Sequence, residues 1–420
     1  MTEQLKLKLN DSKATRWGAL VIVAFTMMAA YYVNDVVAPL KTMLETDLAW
    51  SSTDFGFFTG GYSFLNVFFL MLIWGGLILD RFGIRFTGKL ATILMVGGTA
   101  LEYYAMTGLA GADATLFGIN EIFGYKTGVF VAFAGYSIFG VGAEVAGITV
   151  SKIIAKWFKG KELATAMGVQ VALARIGSQA GYAVAIPLAR AFGISTPVLL
   201  GLVLLLGGMI AFFIFAVMDK KLDKQMEAAA IAAGTEDEEE KFSFKDVKNI
   251  LVNPGFWLIA LLCVLFYSCV FPFQKFASEL MIIKYGINEN VAGTFAGLPA
   301  LGALILTPVF GGFIDKRGKS ASIMLLGSAM LICVHFIYAI PDINYWLVAI
   351  VLMIILGIAF SLVPSAMWPA VAKIFPVSQL GTAYALIFFI QNIGLWGIPT
   401  LIGWVLDAYC ISGKKPDGKI

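Results

Sequence analysis

Apolar stretches of about 20 residues or more recur along the whole chain. A run of that length is what an α-helix needs to cross a hydrocarbon core roughly 30 Å thick. In lipid the backbone can bond only to itself, so repeated runs of this kind specify a bundle of spanning helices. Eleven spans are expected, near residues 17–43, 53–79, 87–109, 127–151, 162–190, 194–218, 252–279, 288–313, 319–340, 344–371 and 377–408. Charged residues make up 14% of the chain, well below the quarter usual in soluble domains. The 44 glycines suit closely packed membrane helices. The fold class is therefore an all-α membrane protein, and the scattered net charge of +3 gives no reason to expect a nucleic-acid partner.

Six spans precede the polar stretch DKKLDKQMEAAAIAAGTEDEEEKFSFKDVKNI and five follow it. The stretch reads as a solvated, partly helical linker at 219–250 between bundles at 1–218 and 251–420. With the N-terminus inside, 21 of the 30 Lys and Arg residues fall in cytoplasmic segments. The opposite orientation would violate the positive-inside rule. The first span is too long for a signal peptide and has no cleavage pattern after it, so it should stay in the mature protein.

An internal repeat relates the halves. GGLILDRFGIR follows the second span and GGFIDKRGK the eighth, placing Gly76, Asp80, Arg81, Gly83 and Arg85 against Gly311, Asp315, Lys316, Gly318 and Lys319. Parallel repeats about an axis normal to the membrane are a transporter architecture. The pattern G-x-x-x-D-[RK]-x-G-x-[RK] resembles the signature loop of the major facilitator superfamily. That resemblance implies two six-helix bundles, with Asp80, Arg81, Arg85, Asp315 and Lys316 as a gating latch that pairs across the bundles in one state. Twelve spans are implied, so the sequence is expected to stop short of a natural C-terminus; otherwise the second bundle lacks a wall.

Two opposite charges lie in neighbouring apolar spans: Glu144 in the fourth and Arg175 in the fifth. At 1.5 Å per residue both fall near mid-depth, where an isolated charge costs roughly 2.5–3.5 kcal/mol on insertion scales. An acid and a base held there can bind a zwitterion, with Glu144 accepting an ammonium and Arg175 gripping a carboxylate through its planar fork. The bland alternative is an ion pair that locks two helices. The segments GVGAE, SKIIAKWFKGKELATAMGVQVALARIGS, VFPFQKF and MWPAVAKIFPVSQLGTAYALIFFIQNIGL resemble the lysosomal dipeptide-uniporter branch of the superfamily. The resemblance covers Asp35 to Asp407, except for the linker and the loop near 110–127. It implies a uniporter without cofactor or ATP, with Glu144 and Arg175 on the peptide termini.

Further polar residues are candidates for lining the substrate cavity. They are Tyr31 and Asn34 in the first span, Tyr62 and Asn66 in the second, and Ser178 and Gln179 beside Arg175. Tyr267 and Gln274 in the seventh, Trp368 between two prolines of the tenth, and Gln391 and Asn392 of the eleventh complete the set. Asp35 and Lys275 lie towards outer span ends and are candidates for a gate; Lys275 can equally snorkel to the interface. The lone His335 and the four cysteines read as packing residues, with neither a disulfide nor a metal site expected. Two other readings stay open: a carrier of organic anions or amino acids coupled to protons through Glu144, and a membrane sensor or scaffold without flux. An enzyme is disfavoured, because no nucleophile–base or metal constellation stands in any loop. The expected setting is a prokaryotic plasma membrane, as a monomer, with an accessory subunit left open.

Overall fold

The computed structural model describes residues 8–111, 114–158, 161–233, 244–375 and 377–410. Helices α1 (Lys13–Val36), α2 (Lys41–Asp47), α3 (Ser52–Phe68), α4 (Met71–Thr107), α5 (Thr127–Trp157), α6 (Leu163–Phe192) and α7 (Thr196–Ala233) form the first half. After α8 (Phe244–Val252) come α9 (Pro254–Ile283), α10 (Glu289–Ala296), α11 (Leu298–Arg317), α12 (Ser320–Ala339), α13 (Trp346–Ile374) and α14 (Val377–Tyr409). The face that carries the N-terminus is called inner below, and the opposite face outer. A hairpin of two short strands, β1 (Glu121–Ile122) and β2 (Tyr125–Lys126), lies in the outer α4–α5 loop, an addition to the all-helical expectation.

Eight of these helical segments are long and apolar enough to cross a membrane, or nine if the bent pair α3–α4 is one span. Two causes separate this from the eleven expected. Helix α6 carries Gln170, Arg175, Ser178 and Gln179 and is too polar to qualify by composition. Helix α4 is two helices merged across a break at Gly83, so the second expected span is α3 plus the start of α4, and the third is the remainder. The bend of 58° between α3 and α4 falls where Leu70 takes a left-handed conformation.

Local sequence starts and stops several of these elements. Ser12 caps α1 by accepting from the Thr15 amide, and Ser51 with Asp54 forms a capping box at α3. Asn253 caps α9 ahead of Pro254, which suits a first helical turn. Gly83 has φ 73° and ψ 174°, a region open essentially to glycine alone, and it makes the turn of the first signature loop.

One apolar core gathers residues of α1 to α7 and a second gathers residues of α9 to α14. Phe276 of α9 joins the first core, whereas Ala38 and Tyr182 join the second. Helices pack closely where small residues permit. A Cβ on Gly98 of α4 would stand 2.4 Å from the Phe139 amide nitrogen of α5. Helix α7 continues unbroken to Ala233, so the first part of the expected linker at 219–250 is helical. Asp219 is fully buried and accepts from Trp157 Nε1 at 3.0 Å and Lys156 Nζ at 2.7 Å.

Gly83→Ala should destabilise the protein by about 1–3 kcal/mol through backbone strain. Gly97→Ala, in a helical stretch with open space around it, should be neutral or slightly stabilising. Thermal unfolding of the purified variants in detergent checks this; equal melting temperatures for both would remove the strain argument.

Candidate functional site

A cavity of about 1150 Å³ lies between the halves. It runs from Asn34, Lys275 and Pro399 down to the inner-end residues Asp80, Ser151, Val247 and Thr382. Glu144 of α5 and Arg175 of α6 both line it. The first half therefore contributes an acid and a base to one shared chamber.

Each charge is held in a different way. The Tyr62 hydroxyl of α3 donates to Glu144 Oε1 at 3.0 Å, which leaves the carboxylate with acceptor capacity facing the chamber. The Arg175 guanidinium sits over the Tyr31 ring at 5.4 Å and the Phe360 ring at 5.1 Å. Stacking on aromatic faces fixes the plane of the fork while leaving its edge free for a carboxylate. Among the described residues no ion pair joins Glu144 to Arg175, so the helix-locking alternative is not realised in this conformation.

The second half supplies an aromatic wall. Tyr267 stacks on Phe271 with ring centroids 5.5 Å apart, and Trp368 stacks on Phe388 at 4.9 Å. Trp368 Nε1 donates to the Tyr267 hydroxyl at 3.3 Å, and Tyr384 donates to the Trp368 carbonyl. Gln391 borders the chamber and accepts from Cys263 Sγ at 3.3 Å.

The structure thus brings Glu144, Arg175, Tyr31, Asn34, Tyr62, Tyr267, Trp368 and Gln391 together around one space. Five other expected residues do not line it. Asn66, Ser178 and Asn392 are buried in helix packing. Gln179 donates to the Thr294 carbonyl of α10, and Gln274 accepts at its backbone carbonyl from Tyr182. Helical spacing places a residue near a site, but the tilt and depth of each helix decide which face meets the chamber.

Above the cavity, buried polar contacts close the outer face. Lys275 of α9 pairs with Asp35 of α1 at 3.0 Å and also donates to the Asn34 carbonyl and the Tyr136 hydroxyl. Lys41 is 1% exposed and pairs with Glu45 and, across the halves, with Glu279 at 2.5 Å; it donates to Ser52 Oγ at 2.8 Å. Asp407 of α14 accepts from the Ser52 and Thr53 amides at the start of α3. Arg190 pairs with Glu289, and a Cβ on Gly56 would stand 2.4 Å from the Pro399 carbonyl oxygen. Asp35 and Lys275 were expected at a gate from their depth. Lys41, Glu279, Asp407 and Tyr136 were not singled out, although Lys41 in the apolar end of the first span carried the same signal.

The inner-end residues of the first half pair within that half. Asp80 pairs with Lys152 at 3.0 Å and Arg85 with Asp223 at 3.0 Å, all within the first half. Arg81 lies over the Phe82 ring. Lys316 is exposed, and the side chain of Asp315 falls outside those described. No latch pair crosses between the halves among the described residues, as follows for an arrangement that is sealed outside and opens inward. His335 bonds the Leu331 and Cys269 carbonyls, in keeping with a packing role.

Comparison with known proteins matches residues 20–397 to the family described as Major Facilitator Superfamily. The chain is 29% identical over 409 residues to the "Lysosomal dipeptide transporter MFSD1" of Homo sapiens, covering 94% of this chain and 81% of that protein. The protein of that name from Danio rerio is 28% identical over 399 residues, covering 92% and 80%. Among solved structures, a mutant of the nucleoside transporter NupG aligns with a TM-score of 0.68 at 13% identity, covering 94% of this chain and 92% of that one. An inward-facing, unoccupied bacterial homolog of the human lysosomal transporter Spinster aligns with a TM-score of 0.65 at 16% identity, covering 95% and 84%. At those identities the structures speak to the fold alone.

Lys41→Met should loosen the outer closure, because it leaves Glu45 and Glu279 facing each other without their shared cation. Breaking a buried pair in this way costs about 3–5 kcal/mol. Impermeant maleimide applied from the outer side should then label a cysteine at the buried Ser278 at least tenfold faster than in the parent protein. An unchanged labelling rate would show that Lys41 does not hold the face shut.

Proposed function

From the premise that the chain belongs to the major facilitator superfamily, and is a multi-pass membrane transporter rather than an enzyme, we propose that its cargo is a short peptide, dipeptides first. The observation that carries this reading is the facing of Glu144 and of an Arg175 fork, unpaired among the described residues, into one chamber large enough for such a ligand. The printed name of its relatives points the same way.

In this reading Glu144 accepts the α-ammonium, with the Tyr62 hydroxyl orienting the carboxylate. Arg175 takes the terminal carboxylate through two parallel N–H···O bonds, while Tyr31 and Phe360 hold its plane. Phe360 lies on the second half, so the sandwich that positions Arg175 assembles only when the halves approach. Tyr267 and Trp368 offer a wall to the peptide side chains. Asn34 and Gln391 stand ready to bond the peptide group. The charged termini are common to every dipeptide, so side-chain discrimination is weak.

Transport follows as alternating access, with 1–218 and 251–420 as the moving units and 219–250 joining them, the start of that linker being an extension of α7. Lys275, Asp35, Lys41 and Glu279 close the outer side in the state described. Asp80, Arg81 and Arg85, with Asp315 and Lys316, are the groups at the inner ends that meet when that side closes. The cycle is uniport, supported by the family branch the sequence resembles. The lysine and arginine distribution supports a cytoplasmic N-terminus; the setting we infer is the plasma membrane of a prokaryote, whereas the relatives are named lysosomal, and the chemistry is the same in either membrane.

Arg175→Ala should weaken dipeptide binding by at least a hundredfold, since a charge-assisted bidentate pair is worth about 1.5–3 kcal/mol per bond. Arg175→Lys should keep the charge yet lose about tenfold or more, because an ammonium cannot fork. Glu144→Gln should weaken free-amine dipeptides more than amino-blocked ones. Isothermal titration of the purified variants reads all three. Equal loss for blocked and free ligands would overturn the assigned orientation, and tight binding of monocarboxylates without an amine would replace the peptide reading with an anion carrier. Uptake into proteoliposomes with and without a pH gradient separates uniport from symport: no accumulation of peptide above the outer concentration is expected under either condition.

A further inference from the structure

The outer α4–α5 loop carries a short repeat that the transport reading does not use. Leu116-Phe117-Gly118-Ile119 and Ile122-Phe123-Gly124-Tyr125 each close a two-residue turn. In each, the phenylalanine has φ 53° and the glycine after it has φ 80° or 82°. Positive φ at both central residues is the hairpin turn that asparagine or aspartate followed by glycine ordinarily makes. A bulky side chain at the first position is strained through its Cβ. Phe117 and Phe123 are nonetheless the two most exposed large apolar side chains among the described residues, at 96% and 89%. Neither turn geometry nor burial explains phenylalanine at these tips, so the group that covers them lies outside the chain.

Their position says what that group is. Thr127, the first residue of α5, donates through its amide to the Asn120 carbonyl at 2.9 Å and through its hydroxyl to the Ile119 carbonyl at 2.8 Å. Both turns are thus tied to the outer end of a spanning helix. The Phe123 ring packs on Phe130 with centroids 5.9 Å apart. Phe130 stands about 33 Å along α5 from Lys152 at the inner end. It therefore lies at the outer edge of a hydrocarbon core roughly 30 Å thick. From Phe130 a row of aromatic contacts continues through Phe133, Phe64 and Phe68 to Trp396. Phe68 is exposed and none of this row lines the chamber, so it opens on the lipid-facing side. The apolar tips extend that surface at the depth where aromatic side chains gather in membrane proteins.

The hairpin is also braced against the element that carries the gate. Tyr125 stacks on Phe57 of α3 with centroids 3.9 Å apart, and Lys126 donates to the Ala49 carbonyl just ahead of that helix. The start of α3 is where Asp407 of α14 docks in the closed arrangement. We propose that the twin turns form an interfacial anchor, inserting Phe117 and Phe123 among the headgroups and upper acyl chains of the outer leaflet. The partner is a phospholipid surface. The anchor holds the outer ends of α3 and α5 at a fixed depth, so the gate swings against a half that is moored to the membrane. This role stands whether or not the cargo is a peptide.

Phe117→Cys and Phe123→Cys, each spin-labelled in the otherwise cysteine-free full chain in palmitoyl-oleoyl phosphatidylcholine nanodiscs, test this by power saturation. Oxygen concentrates in the bilayer, whereas a chelated nickel reagent stays in water. The ratio of oxygen to nickel accessibility at both tips should exceed that at Thr46→Cys, an exposed position on the outer face, by about threefold or more. A ratio equal to that of Thr46→Cys would place the tips in water and overturn the proposal. Protection from both reagents would overturn it too, because protein and not lipid would then cover them. In a second arm, Phe117→Asn combined with Phe123→Asn keeps the turns, since asparagine suits the left-handed position. That double variant should melt at the same or a higher temperature in detergent. In nanodiscs it should make a label at the exposed Glu121→Cys about threefold or more accessible to nickel. An unmoved Glu121→Cys label would show that the phenylalanines do not hold the hairpin on the membrane.

Discussion

The structure depends on how buried charge is satisfied at the outer face. In a hydrocarbon interior an ammonium or carboxylate without partners is untenable, so Lys275 and Lys41 can be buried only where the other half or a neighbouring helix brings them acceptors. Lys275 finds three, on α1 and α5, and Lys41 finds Glu279 across the halves. Each cation is therefore a two-state element. It is fully bonded when the halves meet and must be rehydrated when they part. Breaking such pairs costs too much for the closed face to fray gradually, which favours discrete open and closed arrangements.

The chamber beneath divides its labour between the halves. The first half supplies Glu144, Arg175 and Tyr62, groups that recognise charge. The second supplies Tyr267, Phe271, Phe360, Trp368 and Phe388, surfaces that tolerate many shapes. Phe360 couples the two, since it lies on the second half and faces the guanidinium of the first. A ligand that engages Arg175 thus reports on the separation of the halves, which is what a carrier needs if binding is to bias its conformation.

The signature loops illustrate how one motif can serve two states. With the inner side open, Asp80 and Arg85 are bonded to Lys152 and Asp223 of their own half. Asp219, buried at the end of the first bundle, gathers Lys156 and Trp157 and extends this network. The charges at the inner end of the first half are thus paired within that half, while Lys41 at its outer end pairs across to the second half.

Apolar periodicity, the repeated loop and the lysine and arginine distribution determined by themselves that the chain forms a two-part helical membrane transporter, because bilayer thickness and backbone hydrogen bonding leave few other solutions. The mid-depth acid and arginine were legible for the same reason: a charge in an apolar run stands out against its background. What the tertiary structure decided was which polar groups share a space. Asn66, Ser178 and Asn392 face helix packing, whereas Tyr136 and Phe360 face the chamber, and local sequence does not encode the rotation of a helix about its own axis. Glu102 was present in the third apolar run with as strong a signal as Glu144. Only the packing of α4 against α5 revealed that it has no partner, since an unsatisfied group is defined by what surrounds it.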